Sequence, residues 1–155
     1  MVISETLREQ IDAEIARFPQ KRGGLLGALR LLQGELGFVS LDAARELAEI
    51  FEIPTVDVME LVHFYNMLSD EPKGRHQVYV CTNLSCALVG ANSLLRELES
   101  YLGVRAGETT QDGRIHLGRE ECLGACAYAP MMRIGEHYYE NLDLDAARAV
   151  IDALE

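Results

Sequence analysis

The stretch Gln77-Val78-Tyr79-Val80-Cys81-Thr82-Asn83-Leu84-Ser85-Cys86 decides how this chain is read. Its opening residues are β-rich and run directly into a cysteine, and a helical pattern follows, so the pair Cys81-x4-Cys86 falls on a strand-to-helix turn. A second pair, Cys122-x3-Cys126, lies in Cys122-Leu123-Gly124-Ala125-Cys126-Ala127-Tyr128-Ala129-Pro130. These are the chain's 4 cysteines, and 35 residues separate the pairs. Each pair lies within one turn, so both of its sulfurs can reach one small object. Two short pairs on two loops can surround one soft metal centre with four thiolates, either zinc or an iron–sulfur cluster.

Working outward, residues 89–102 read as a helix carrying Leu94, Leu95, Leu98 and Leu102. Gln111-Asp112-Gly113 is a strong turn signal. Short strands are expected at 114–118, 131–134 and 137–140, and Asp143 can cap a last helix over 144–154 with Ala147, Val150, Ile151 and Leu154 inward. The order β-α-β-β-β-α makes a small open sheet with helices against it.

Upstream of the polar linker Ser69-Asp70-Glu71-Pro72-Lys73-Gly74, the chain reads as helices. Leu7, Ile11, Ile15 and Phe18 repeat at helical spacing up to Pro19. Leu25, Leu26, Leu29, Leu32 and Leu36 form a second stripe closed by Gly37. Ser40 can cap a third helix over 41–50, and Thr55 a fourth with Val58, Leu61, Val62 and Tyr65 on its apolar side. The expectation is an α+β chain: a small antiparallel four-helix bundle over residues 1–72, then the sheet domain over 73–155.

At 155 residues and 48% apolar, the chain can bury a core without staples. No stretch approaches the ~20 apolar residues of a membrane span, and Glu5, Glu9, Asp12 and Glu14 argue against a secretory or transit leader. A cytoplasmic location is expected, where thiols stay reduced and available to metal. The net charge of −11 is spread evenly, with 7 basic and 13 acidic residues over 1–74 and 7 and 12 over 75–155. Such a surface repels nucleic acid and anionic membrane.

The choice of metal turns on spacing and surroundings. Both pairs are wider than the C-x2-C of zinc knuckles, which favours the cluster and leaves structural zinc open. Thioredoxin-type dithiol work prefers C-x-x-C, which is absent, and a plant-type ferredoxin brings its third cysteine much sooner. Small residues around Cys122 let backbone amides approach sulfur, and amides at the helix start after Cys81 suit an anionic cluster. Leu84, Leu88, Val89 and Leu123 are expected to form a dry sheath.

At this point the residues become recognisable. Val80 to Cys86, Glu121-Cys122-Leu123-Gly124-Ala125-Cys126 and Ala129-Pro130 closely resemble the thioredoxin-like [2Fe–2S] subunit of NADH:quinone oxidoreductase, respiratory complex I. The same subunit type recurs in NAD-linked formate dehydrogenases and NAD-reducing hydrogenases. Phe18-Pro19, Leu36-Gly37-Phe38 and His63-Phe64-Tyr65 also look like family segments, so the likeness covers essentially the whole chain. It implies a helical domain followed by a thioredoxin-like domain holding one [2Fe–2S] cluster. Cys81 and Cys86 would ligate one iron, Cys122 and Cys126 the other. FMN and NADH would sit on a partner flavoprotein subunit, in a heterodimer within a larger complex whose peripheral arm lies on the cytoplasmic side of a membrane. The chain would be a one-electron carrier with no catalytic group of its own. The equivalent subunit of a formate dehydrogenase or hydrogenase is the nearest alternative. A zinc-stabilised interaction module is the alternative of another class, and a free ferredoxin leaves the helical domain unexplained.

Other residues carry less. Glu60-Leu61-Val62-His63 spells the Glu-x-x-His of di-iron bundles, but only one copy exists, so His63 is expected in packing or at an interface. His76, His116 and His137 are scattered near strand ends. Gly103-Val104-Arg105-Ala106-Gly107 is too short and wrongly placed for a dinucleotide fingerprint, and no Walker loop is present. Pro130 sits where a thioredoxin-like fold places its cis proline.

Overall fold

The computed structural model describes residues 2–155. The chain divides into two compact units, Met1–Pro72 and Lys73–Glu155.

The first unit holds four α-helices: α1 (Glu5–Ile15), α2 (Leu25–Leu36), α3 (Leu41–Phe51) and α4 (Thr55–Phe64). Ser4 Oγ accepts the Leu7 N–H at 3.1 Å and Ser40 Oγ that of Ala43 at 3.2 Å, so two starts are fixed by side-chain caps. Gly37, at φ +83°, closes α2. The expected stripes meet in one core that includes Leu7, Ile11, Leu25, Leu29, Leu32, Leu47 and Val58.

Two expectations need correcting here. Phe18 does not continue α1, which stops at Ile15, and its ring lies against Gly23 instead. The residue before a proline is pushed out of the helical region, so the turn ahead of Pro19 unwinds early. Thr55 is the first helical residue of α4 and not its cap, because Pro54, in extended conformation, occupies that place.

The second unit is a four-stranded mixed sheet in the order β2-β1-β3-β4. Strand β1 (His76–Cys81) runs parallel to β2 (Ile115–Glu120) and antiparallel to β3 (Met132–Ile134), which pairs with β4 (His137–Tyr139). A parallel pair needs a crossover, supplied by α5 (Leu84–Leu88) and α6 (Ala91–Leu102). The helix expected over 89–102 is α6, starting at Ala91 because Gly90 at φ +101° precedes it, and α5 is a further short helix in the stretch expected as a loop after Cys81. Helix α7 (Leu144–Asp152) starts at Asp143, whose Oδ1 accepts the Ala146 N–H at 2.8 Å.

Alternation along the strands divides the sheet into two faces. Val78, Val80, Ile115, Leu117, Met132 and Ile134 pack with Leu94, Leu98, Ala147 and Ile151 into the main core. Tyr79, Gly118 and Arg133 share the other face, in register across β2, β1 and β3. Gly118 has no substitute there, since a Cβ would stand 2.5 Å from the Tyr79 ring.

Candidate metal centre

Cys81 ends β1 and is paired in register with Glu120, the last residue of β2. Two parallel strands therefore deliver both cysteine-bearing loops to the same edge of the sheet. The Cys81 N–H donates to the Met131 carbonyl at 3.1 Å and the Thr82 N–H to the Glu120 carbonyl at 3.0 Å, which pins the first loop from both sides. Asn83 caps α5 through the Leu84 N–H at 2.7 Å, so one amide expected to face the site is already used. Cys86 follows on that helix.

The four thiols are free, but their surroundings differ. Cys81 and Cys86 are 2% and 1% exposed, in a small cluster with Ala91, Leu123 and Met131 apart from the main core. Cys122 and Cys126 lie on the exposed loop after β2. Burial pushes the Cys86 thiol up to about 11, helped by its hydrogen bond with Cys81 and by negative charge on Cys81, Cys126 and Cys122. Cys86 thus lies within electrostatic reach of the other three. Among the described residues, no three His, Cys, Asp or Glu side chains gather around one point that could hold a single ion.

The second loop is shaped by small residues. Gly124, at φ +76°, turns its N–H onto Cys122 Sγ at 3.3 Å, the amide-to-sulfur contact expected from the sequence. The Ala129–Pro130 peptide bond is cis, and the Pro130 carbonyl accepts the Leu142 N–H at 2.9 Å.

The expected apolar sheath is only partly there. Leu123 is buried, whereas Leu84, Leu88 and Val89 are 70%, 77% and 54% exposed. Leu84 and Leu88 lie on the outer side of α5 and Val89 caps its end, so apolar spacing alone misreads them as lining. His63 is exposed and paired with Asp70 at 3.0 Å, in the other unit from the cysteines. His76 bonds the Glu155 carbonyl at 2.6 Å, and His137 opens β4. His116 is buried against Thr109 Oγ1 at 3.0 Å.

Sequence reasoning passed over Thr82, Glu120 and Arg133. Arg133 donates to Glu120 Oε1 at 2.8 Å and lies over the Tyr79 ring at 4.8 Å from its centroid. The available signal was an arginine between two apolar residues of a short strand.

Known proteins share this architecture. Residues 11–155 match the family model described as thioredoxin-like [2Fe-2S] ferredoxin. The chain is 45% identical to a subunit of the NADH-quinone oxidoreductase of Rhizobium meliloti (strain 1021), over 96% of its own length and 86% of the relative's. It is 35% identical to a subunit of the NADH-quinone oxidoreductase of Aquifex aeolicus (strain VF5), over 88% and 85%. Among solved structures, an NAD+-reducing [NiFe]-hydrogenase in the air-oxidized state superposes with a TM-score of 0.74 at 24% identity. That match covers 84% of this chain and 22% of the hydrogenase chain, and it is a likeness of fold. Paired thiols at the end of a β2-β1-β3-β4 sheet and a family match over residues 11–155 lead to one conclusion: the chain belongs to the thioredoxin-like [2Fe-2S] ferredoxin family.

Proposed function

We propose that this chain is an electron-transfer subunit carrying one [2Fe–2S] cluster, held by Cys81, Cys86, Cys122 and Cys126, beside the FMN of a partner NADH-oxidising flavoprotein subunit in NADH:quinone oxidoreductase. The observation that carries this reading is the delivery of the whole cysteine complement, by the ends of the parallel strands β1 and β2, to one edge of the sheet. The donor set fits the group. It offers four free thiols in two pairs, and an amide already aimed at one sulfur. The curated relatives are named as subunits of the same oxidoreductase, which supports the assignment of parent enzyme. When bound, the cluster supplies one-electron exchange.

The chain's own residues do the holding. Cys81 and Cys86 on one loop and Cys122 and Cys126 on the other would hold the cluster, and the Gly124 N–H, already on Cys122 Sγ at 3.3 Å, would withdraw charge from that sulfur. The chain needs no substrate-activating group, since oxidation of NADH belongs to the partner. Residues 73–155 form the thioredoxin-like domain and residues 1–72 a four-helix bundle domain that clamps the partner. Among the described residues, no helix is long and apolar enough to cross a membrane, which suits a peripheral position in the complex.

Purified chain should be reddish-brown, with about two irons and two acid-labile sulfides each and an S = 1/2 EPR signal on reduction. A colourless protein with one zinc would overturn the cluster. Deleting residues 1–72 should abolish co-purification with the flavoprotein subunit while the cluster remains. Undiminished capture of the truncated chain would refute the clamp.

A further inference from the structure

We propose that Thr82, Glu120 and Arg133 form a crossbar that holds the two cysteine loops at the spacing their shared cluster needs and balances charge beside it. This rests on the cluster reading above. Glu120 ends β2, two residues before Cys122. Its backbone carbonyl accepts from both the N–H and the Oγ1–H of Thr82, at 3.0 and 3.3 Å, and Thr82 directly follows Cys81. One carbonyl therefore ties the start of the first loop to the start of the second.

The Glu120 side chain ties in the third strand. Its Oε1 accepts from Arg133 Nη2 at 2.8 Å, and Arg133 Nη1 donates to the Gly135 carbonyl at 2.7 Å in the β3–β4 turn. Strands β2 and β3 flank β1, so this ion pair reaches across β1. Register places it on the face of Tyr79 and Cys81, because Cys81 pairs with Glu120 and Tyr79 with Arg133. The two side chains are 11% and 23% exposed, so water screens them little. A lone carboxylate here would repel the thiolate charge; a lone guanidinium would attract it. Together they hold geometry and cancel each other's charge. The fork of arginine is required, since one nitrogen serves Glu120 and the other Gly135.

The charge arrangement gives a test that a merely structural bridge fails. In the iron-loaded chain, Glu120→Gln leaves Arg133 uncompensated, so the midpoint potential should rise. Arg133→Met leaves Glu120 uncompensated, so it should fall, and the double variant should return towards the native value. Each single variant should lose its cluster to a chelator faster, by about 10-fold on the scale of outer-sphere substitutions at metal sites. Shifts of the same sign, or no shift with unchanged loss rates, overturn the crossbar. In the metal-free chain, the Thr82 amide should exchange faster in Arg133→Met than in the native protein, and equal protection overturns the loop tie. A native chain that takes up zinc in place of iron and sulfide defeats the cluster reading instead, and the amide measurement still decides the crossbar.

Discussion

The two cysteine pairs solve one problem by different means. The first pair is built from secondary structure: Cys81 closes a central strand, Cys86 rides a capped helix, and both are buried against Met131 and Leu123. The second pair sits on an exposed loop whose shape depends on a left-handed glycine. One half of the site is thus set by the fold and the other by local backbone conformation. Loss of packing should therefore hurt the first half most, and loss of turn geometry the second.

The largest effect should come from Met131→Ala. Met131 is fully buried beneath the first pair, and truncation of such a side chain costs about 2–5 kcal/mol. Urea unfolding of the second unit should register it, and a change below about 1 kcal/mol would show that the first pair does not rest on packing. Next comes a matched pair on metal-free protein. Cys86→Ser buries a hydroxyl at about 1–3 kcal/mol, whereas Cys126→Ser, on the exposed loop, should stay within about 0.5 kcal/mol. Equal costs would erase the distinction drawn between the halves.

Gly124→Ala should cost about 1 kcal/mol through backbone strain alone, because an added Cβ at φ +76° meets no atom within 4 Å. Faster cluster loss beside a loss of about 1 kcal/mol in unfolding stability is the expected result, and chelator kinetics and urea unfolding measure the two. The smallest effect is a pH slope confined to the sheet. Burial, then Lys73, holds His116 below the usual histidine range. The unfolded chain takes up a proton near pH 6.5, roughly, and the folded chain only at lower pH. Stability is therefore full above that pH and declines as pH falls through the window between the two. Urea midpoints against pH should show the decline, and His116→Gln should flatten it.

What the sequence made legible were the locally decided features. Ser40 and Asp143 announce their helices because a cap needs only its own next residues. The cysteine spacing points to a metal centre because ligand pairs must share a turn, and the family match agrees with that reading. The rest needed three dimensions. Leu84 and Leu88 read as lining from their spacing, yet only the placement of α5 puts them outside. Helix α5 was not legible, because five residues carry too little periodicity to be told from a loop. Glu120 and Arg133 lie on strands that are not neighbours in the sheet, so no pairing pattern along the chain announced their contact.

Helix α5 has a thermodynamic consequence of its own. It is five residues long, and Cys86 is its only buried side chain. A helix so short has negligible stability alone, so whatever fastens Cys86 also folds the segment around it. With Cys86 a cluster ligand as proposed, ligand occupancy and local order there are a single equilibrium seen from two sides. Gly90 separates that equilibrium from α6, which is anchored independently by Leu94, Leu95 and Leu98. The chain therefore carries an internal gauge: protease sensitivity at 84–89 reports how full the site is, while that of α6 reports whether the domain itself is intact.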